Sequence, residues 1–420
     1  MANNKEKKVL NVPNSKDRGN VIRNVPALRF PEFTDEWKKI RLDSFTERVM
    51  RKNKNNLSKL PLTISAQYGL VDQITFFNKV VASTDMSNYY LLKKGEFAYN
   101  KSYSSDYPWG AIKRLDNYEQ GALSSLYICF APKDNVETDF ILQYFESPKW
   151  HKGVSEIAVE GARNHGLLNI SVQDFFHTHH YMPKDKKEQA KIAKLLMFLD
   201  ERIATQNKII ERYESLIRGI MVELQKQGLK RGTWKKVFLN DILKERNERN
   251  SNLYQVFSVS VSQGIINQVD HLGRSFSAKD TSKYNVVHYG DLVYTKSPTG
   301  SFPYGIVKQS LNRESVAVSP LYGVYVPDSL AIGIYLHKYF MSEINTQNYL
   351  HPLIQKGAKN TINITNQRFL ENRVPMPLDS NELVLISKLL RSLNNKIRHE
   401  QNILQEYQKQ KQYLLRQMFI

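Results

Sequence analysis

Residues 95–114 read GEFAYNKSYSSDYPWGAIKR and residues 290–309 read GDLVYTKSPTGSFPYGIVKQ, 195 positions apart in a chain of 420. Gly, Tyr, Lys, Ser, Pro, Gly and Lys recur in register, while the stretch between Ser and Pro differs almost completely. A frame kept twice around changed contents marks a duplicated unit, and a repeat decides the fold before any local signal does. The offset extends well beyond these segments. Ser65, Gly69 and Gln73 match Ser260, Gly264 and Gln268; Asp85, Ser87 and Tyr89 match Asp280, Ser282 and Tyr284. Ala122, Ser124, Leu126, Tyr127 and Pro132 match Ala317, Ser319, Leu321, Tyr322 and Pro327, and Tyr144–Phe145 match Tyr339–Phe340. EWKKIRL from Glu36 pairs with TWKKVFL from Thr233, GARN from Gly161 with GAKN from Gly357, and MP at Met182 with MP at Met376. The chain is a tandem duplication, with a unit far longer than any solenoid repeat.

Each unit has two parts. FAYNKS, LYICFAP, LVYTKS and LYGVYVP are short β-branched and aromatic runs bounded by turn formers, the pattern of strands. TDFILQYFESPKW adds helical periodicity, so this part is α+β. The second part differs in kind. Within residues 188–225, Leu196, Leu199, Ile203, Ile210, Tyr213, Ile217, Ile220 and Leu224 recur at spacings of 3, 4 and 7, a heptad seam interrupted at Gln206. Within 382–419, Leu390, Leu393, Ile397, Leu404, Tyr407, Leu414 and Met418 repeat the pattern, interrupted at Glu400 and Lys411. Each stretch would make roughly 57 Å of helix. Helices that each covered their own domain would carry a broader apolar face, so the narrow stripes predict mutual pairing as an antiparallel coiled coil. The organisation expected is a flexible basic N-terminus (1–25), an α+β domain (26–185), a long helix (186–227), a second α+β domain (228–378) and a second long helix (379–420). Such a pair of helices would hold the two domains at opposite ends of a rod.

Sixty Lys+Arg against 41 Asp+Glu give a net charge of +19, which favours a polyanionic partner, nucleic acid before anionic membrane. The opening MANNKEKKVLNVPNSKDRGNVIRNV lacks an apolar core and is not read as a signal peptide, and no apolar run is long enough to span a bilayer. A cytoplasmic, membrane-free protein is expected. Cys129 is the single cysteine, which excludes disulfides within the chain and cysteine-rich metal sites, and LYICFAP places it in a core.

Catalytic signatures are missing. There is no phosphate-cradling GxxxxGK[ST] run, SPTGSFPYG lacks dinucleotide-binding spacing, and without a Pro-Pro dipeptide there is no NPPY motif of the base-amine methyltransferases. Asp35, Glu36 and Lys38 could mimic part of a Mg²⁺-dependent nuclease site, but Thr233 replaces Glu36 in the second copy, so they are read as a solvated loop before a buried Trp37. His177, His179 and His180 in HTHHY face Glu371, Arg373 and Val374 in the other copy and are read as a wet loop with a chance histidine cluster. No catalytic residue and no metal site is assigned.

The retained frame carries Lys101/Lys296, Lys113/Lys308 and Arg163/Lys359 as cations in both copies, flanked by Ser102/Ser297 and Asn164/Asn360. Shared cations suit phosphate contacts, which orient a protein on DNA irrespective of sequence. The divergent loops Tyr103–Tyr107 and Pro298–Phe302 are short and polar, with Tyr103, Ser104, Thr299 and Ser301 able to reach base edges. These fourteen positions form the candidate DNA-binding set.

RFPEFTDEWKKIRLDSF, the paired GEFAYNKS and GDLVYTKS segments and the ending YLLRQMF resemble the specificity subunit of type I restriction–modification systems, over essentially the whole chain. The resemblance implies two target-recognition domains separated by spacer helices, each domain reading half of an asymmetric, bipartite target in double-stranded DNA. It implies no catalysis and no cofactor in this chain. Two methyltransferase subunits would use S-adenosylmethionine to methylate adenine, and motor-nuclease subunits would use ATP and Mg²⁺ to translocate and cut. A self-contained DNA methyltransferase or nuclease with an unfamiliar site is the alternative.

Overall fold

The strand runs of the two repeats build the same four-stranded antiparallel sheet. In a computed structural model that describes residues 24–158, 166–269, 277–356 and 362–420, the first repeat orders Thr46–Arg48, Ile128–Pro132, Phe97–Asn100 and Ala111–Arg114. The second orders Leu243–Glu245, Gly323–Pro327, Leu292–Thr295 and Ile306–Gln309. Register is kept too: Asn100 faces Ala111, and Thr295 faces Ile306. Strand periodicity explains why these runs are apolar throughout. Phe97, Tyr99, Ile128 and Phe130 enter one core with Trp37, Phe140 and Tyr144, while Ala98 and Cys129 point into a second core with Leu62, Leu70 and Leu92. A sheet covered on both faces needs no polar side. The fold class is α+β, as expected.

The second core of the first repeat is closed by a mixed sheet ordered Gly69–Asp72, Pro61–Ser65, Gln120–Leu123 and Tyr90–Lys93, in which the middle pair is parallel. In the second repeat the counterparts form two separate pairs, Phe257–Ser260 with Gly264–Asn267 and Asn285–Val287 with Val316–Val318.

EWKK and TWKK both enter strands, Lys38–Arg41 against His179–Met182 and Trp234–Phe238 against Arg373–Pro377. The Trp37 and Trp234 indoles donate to Glu188 (3.1 Å) and Glu382 (2.8 Å), the first-turn acids of the two long helices. A carboxylate there also suits the helix dipole. HTHHY is not a wet loop: His180 lies in a strand, 2% exposed, with Tyr144 Oη 2.8 Å from Nδ1 and Thr178 Oγ1 2.8 Å from Nε2. Burial pulls its pKa down to about 3, so it is a neutral core residue. Its strand pairing, invisible in the local sequence, overrode the polar composition.

The long helices run Lys186–Arg231 and Ser380–Gln417. The first passes the expected end at 227 because Gly228 is a seat, not a stop: a Cβ there would meet Trp234 at 2.1 Å. Gly232, at φ +73°, turns the chain out of the helix.

The chain divides into two compact units, Met1–Thr205 with Ile403–Ile420, and Gln206–Asn402. Each takes one α+β domain and a part of both helices. In the first unit Lys411 donates to Asp200 (2.5 Å) and Arg202 to Tyr407 (3.3 Å), so the helices run antiparallel. In the second, Gln206 Nε2 donates to Glu400 Oε2 (2.5 Å) and to its carbonyl (3.1 Å). Two of the three residues that interrupt the seams, Gln206 and Glu400, therefore satisfy each other, as polar residues that fix register do. None of the seam residues named above is exposed. Leu415, Met418 and Phe419 complete the core of the first unit, Phe419 lying 5.4 Å from Phe140 and 6.4 Å from Trp37. Among the described residues no helix is long and apolar enough to cross a membrane.

Candidate nucleic-acid interface

The two quoted segments are hairpins, and their retained residues are the ones that close them. Tyr99 and Tyr294 are fully buried, stack on Phe175 (4.8 Å) and Phe369 (4.6 Å), and donate to the carbonyls of Trp109 (2.9 Å) and Tyr304 (2.8 Å). Gly110 (φ +77°) and Gly305 (φ +98°) end the loops where a Cβ would sit 2.1 Å from the Asn100 carbonyl oxygen and 1.9 Å from that of Thr295. Left-handed backbone and backbone collision together exclude other residues. We expect Gly110→Ala or Gly305→Ala to cost about 3 kcal/mol of the stability of its unit, measured by urea unfolding.

Between these closures, even the turn is retained. Ser104 and Tyr107 exchange backbone hydrogen bonds at 3.1 and 3.2 Å, and Thr299 and Phe302 do so at 3.1 and 3.0 Å. What changes is the side chains and what holds them. Ser102 to Pro108 are all exposed, and Lys101–Tyr103 is bonded along its backbone to Gly166–Leu168. In the second loop Phe302 is 5% exposed and belongs to the fold, which removes it from the base-reading stretch. Ser301 donates to Glu343 and its carbonyl accepts from Gln347 (3.3 Å), so a short helix, Glu343–Leu350, braces this tip. Thr299 is half-buried, its hydroxyl on the Ser297 carbonyl at 3.1 Å.

The shared cations separate into three groups. Lys101 and Lys296 stand at the base of the loops, both half-buried; Lys101 Nζ donates to the Ile170 carbonyl at 3.3 Å. Burial lowers the Lys296 pKa below the usual lysine range, with Glu245 opposing. Lys113 and Lys308 are not free surface cations. Lys113 is paired with Glu146 at 2.6 Å, and Lys308 is 4% exposed with its pKa pulled down to about 8 by burial. A strand position that faces a helix is filled by tertiary packing, which the repeat alignment does not display. Arg163, Asn164, Lys359 and Asn360 lie outside the described residues.

Asp106, Tyr107, Lys113 and Glu146 also line a cleft of about 240 Å³ in the first unit, bounded by Trp150, His151 and, from the second long helix, Gln412, Leu415 and Arg416. Asp35 and Glu36 are exposed ahead of Trp37, which is 2% exposed, and Cys129 is buried with its thiol pushed up to about 12. Among the described residues no group of three or more acidic, His or Cys side chains could hold a metal.

No family model matches this sequence, and no curated protein does. Among solved structures, the S subunit of the type I restriction–modification system from M. genitalium matches 94% of this chain and 99% of its own, at 14% identity and a TM-score of 0.56. The HsdS subunit from Thermoanaerobacter tengcongensis matches 91% of this chain and 96% of its own, at 15% identity and a TM-score of 0.36. The duplicated α+β domains and long helices thus define the fold class of the type I specificity subunits. The chain has the S-subunit fold over nearly its whole length.

Proposed function

We propose that the chain is the DNA sequence-recognition subunit of a type I restriction–modification complex. Each α+β domain reads one half of a bipartite, asymmetric target, and partner subunits methylate adenine or cleave. The observation that supports this most is the hairpin pair: the same turn, closed by the same Tyr and Gly, presents different side chains at its tip. A scaffold of that kind separates positioning from readout, as DNA recognition requires. The S-subunit fold and the charge of +19 agree with it. The chain itself supplies no catalysis in this proposal; two methyltransferase subunits bring S-adenosylmethionine, and motor-nuclease subunits bring ATP and Mg²⁺.

The test is a transplant in the reconstituted methyltransferase complex. Replacing Pro298–Ser301 by Tyr103–Asp106, with Phe302 kept for the fold, is expected to change the second half of the methylated motif and leave the first intact. An unchanged motif with a folded protein would assign these loops to structure alone. Lys101→Glu and Lys296→Glu are expected to weaken binding alike on all sequences and to reduce the slope of log K against log salt by about one. A changed base preference at an unchanged slope would remove both lysines from the phosphate contacts.

A further inference from the structure

The two repeats keep one frame beneath their hairpins, neutral in the first unit and positive in the second. In the first unit Lys113 is neutralised by Glu146 at 2.6 Å. Beside it, Gln143 donates to Asp200 at 2.8 Å, and Asp200 also accepts from Lys411. At the offset of 195 the second unit has Lys308 for Lys113, Met341 for Glu146 and Lys338 for Gln143, and at the helices' offset of 194 it has Asn394 for Asp200. Two carboxylates are lost, while Lys338 is gained and Lys411 gives way to Ile217.

Among the described residues Lys338 Nζ hydrogen-bonds only neutral groups, Asn394 Oδ1 at 2.8 Å and Met341 Sδ at 3.4 Å, with Glu214 facing it without a salt bridge, and it is 7% exposed. Lys308 is 4% exposed, and among the described residues its ammonium makes no hydrogen bond or ion pair. His337, between them in chain and packing, accepts the Gln309 N–H through Nδ1 at 3.1 Å. Buried cations ordinarily have a counter-charge, because desolvating an unpaired ammonium costs several kcal/mol. The residue where the first unit keeps its counter-charge, Met341, is 42% exposed, so this position opens to solvent.

We propose that Lys308 and Lys338 form an oxyanion site, present in the second unit and closed by Glu146 in the first, which takes a phosphate group. The phosphate comes either free from solution or from the DNA backbone; the second source rests on the recognition function proposed above, the first does not. Two buried lysines near one another, below a position open to solvent, fit a group that carries a full negative charge and several acceptor oxygens.

The experiment is thermal unfolding of the full chain in inorganic phosphate against chloride at matched ionic strength. Phosphate at tenfold its dissociation constant is expected to raise the unfolding temperature of the second unit by about 3 °C. Met341→Glu, which installs the first unit's carboxylate, and Lys308→Met, which removes the cation, are each expected to abolish that phosphate-specific rise. The salt slope of DNA binding then separates the sources. If Met341→Glu lowers the slope by about one, the backbone fills the site. If the slope holds while the phosphate response is lost, free phosphate does. A wild-type chain with no phosphate-specific rise and a Met341→Glu chain with an unchanged slope would overturn the proposal. Failure of the chain to bind DNA at all would strike the recognition reading and leave the phosphate arm to decide this one.

Discussion

Glu188→Ala should unfold the first unit at markedly lower urea, losing about 3–5 kcal/mol, the range for removing one partner of a buried ion pair. Glu188 is 2% exposed and holds three donors: Arg29 Nε at 2.7 Å, Arg29 Nη2 at 2.8 Å and the Trp37 indole at 3.1 Å. Its removal leaves a guanidinium that is 12% exposed without a counter-charge, held only by the Asp35 carbonyl at 2.6 Å, and an indole N–H in the core without its acceptor. The duplicated chain supplies its own control. Glu382, the counterpart, holds the Trp234 indole at 2.8 Å and, among the described residues, pairs with no arginine, so Glu382→Ala is expected to cost only about 1–2 kcal/mol, in the second unit. Equal losses from the two substitutions would show that the arginine contributes nothing. Double substitution with Arg29→Met should recover part of the first loss, because the stranded charge leaves with its partner.

That comparison rests on features the sequence displays unevenly. The duplication, the strand runs and the heptad seams were legible because each is a periodic signal repeated over many residues. Even the seam's defects were informative: Gln206 and Glu400 looked like flaws in two separate stripes and bond to each other. What the sequence hides is any property set by a distant element. His180 reads as polar and is a core residue, because its strand pairs with Lys38–Arg41. Lys113 and Lys308 read as a matched pair of surface cations, yet one is neutralised from the helix Thr138–Glu146 and the other is buried without a carboxylate. The substitution of Met341 for Glu146 was available at the offset of 195, but its meaning depends on knowing which residue faces Lys308. The first long helix passes the end expected at 227 for a reason equally hidden, since Trp234 fills the space a Cβ at Gly228 would take.

The second unit should grow more stable as pH rises from 8 to about 9.5 in a phosphate-free buffer. Burial pulls Lys308 and Lys338 from 10.5 to about 8, and the charge of Lys308 adds to the lowering of Lys338. The groups that face Lys338 besides Lys308 are Arg398, which opposes its charge, and Glu214, which supports it; neighbouring His337 is held neutral by burial. A lysine with a lower pKa folded than unfolded releases its proton on folding between those two values, so the unfolded chain binds more protons and stability climbs with pH. Below pH 8 both states are protonated, the full penalty is present, and these lysines add no pH dependence. At about 1.4 kcal/mol per tenfold change, the penalty is roughly 3 kcal/mol per lysine, of which about half is relieved by pH 9.5. The window closes from above for a separate reason. Burial also raises the pKa of Tyr294, Tyr325 and Tyr349 well beyond 10, so above pH 10 tyrosines ionise in the unfolded chain first and stability falls again. Urea unfolding at half-unit steps from pH 7.5 to 9.5 reads the slope directly. Lys308→Met should flatten it by more than half, since removing one cation also returns the other toward its ordinary pKa, and should stabilise the unit at pH 7.5. A flat wild-type profile, or a variant as steep as wild type, would mean that these ammonium groups are solvated and carry no penalty.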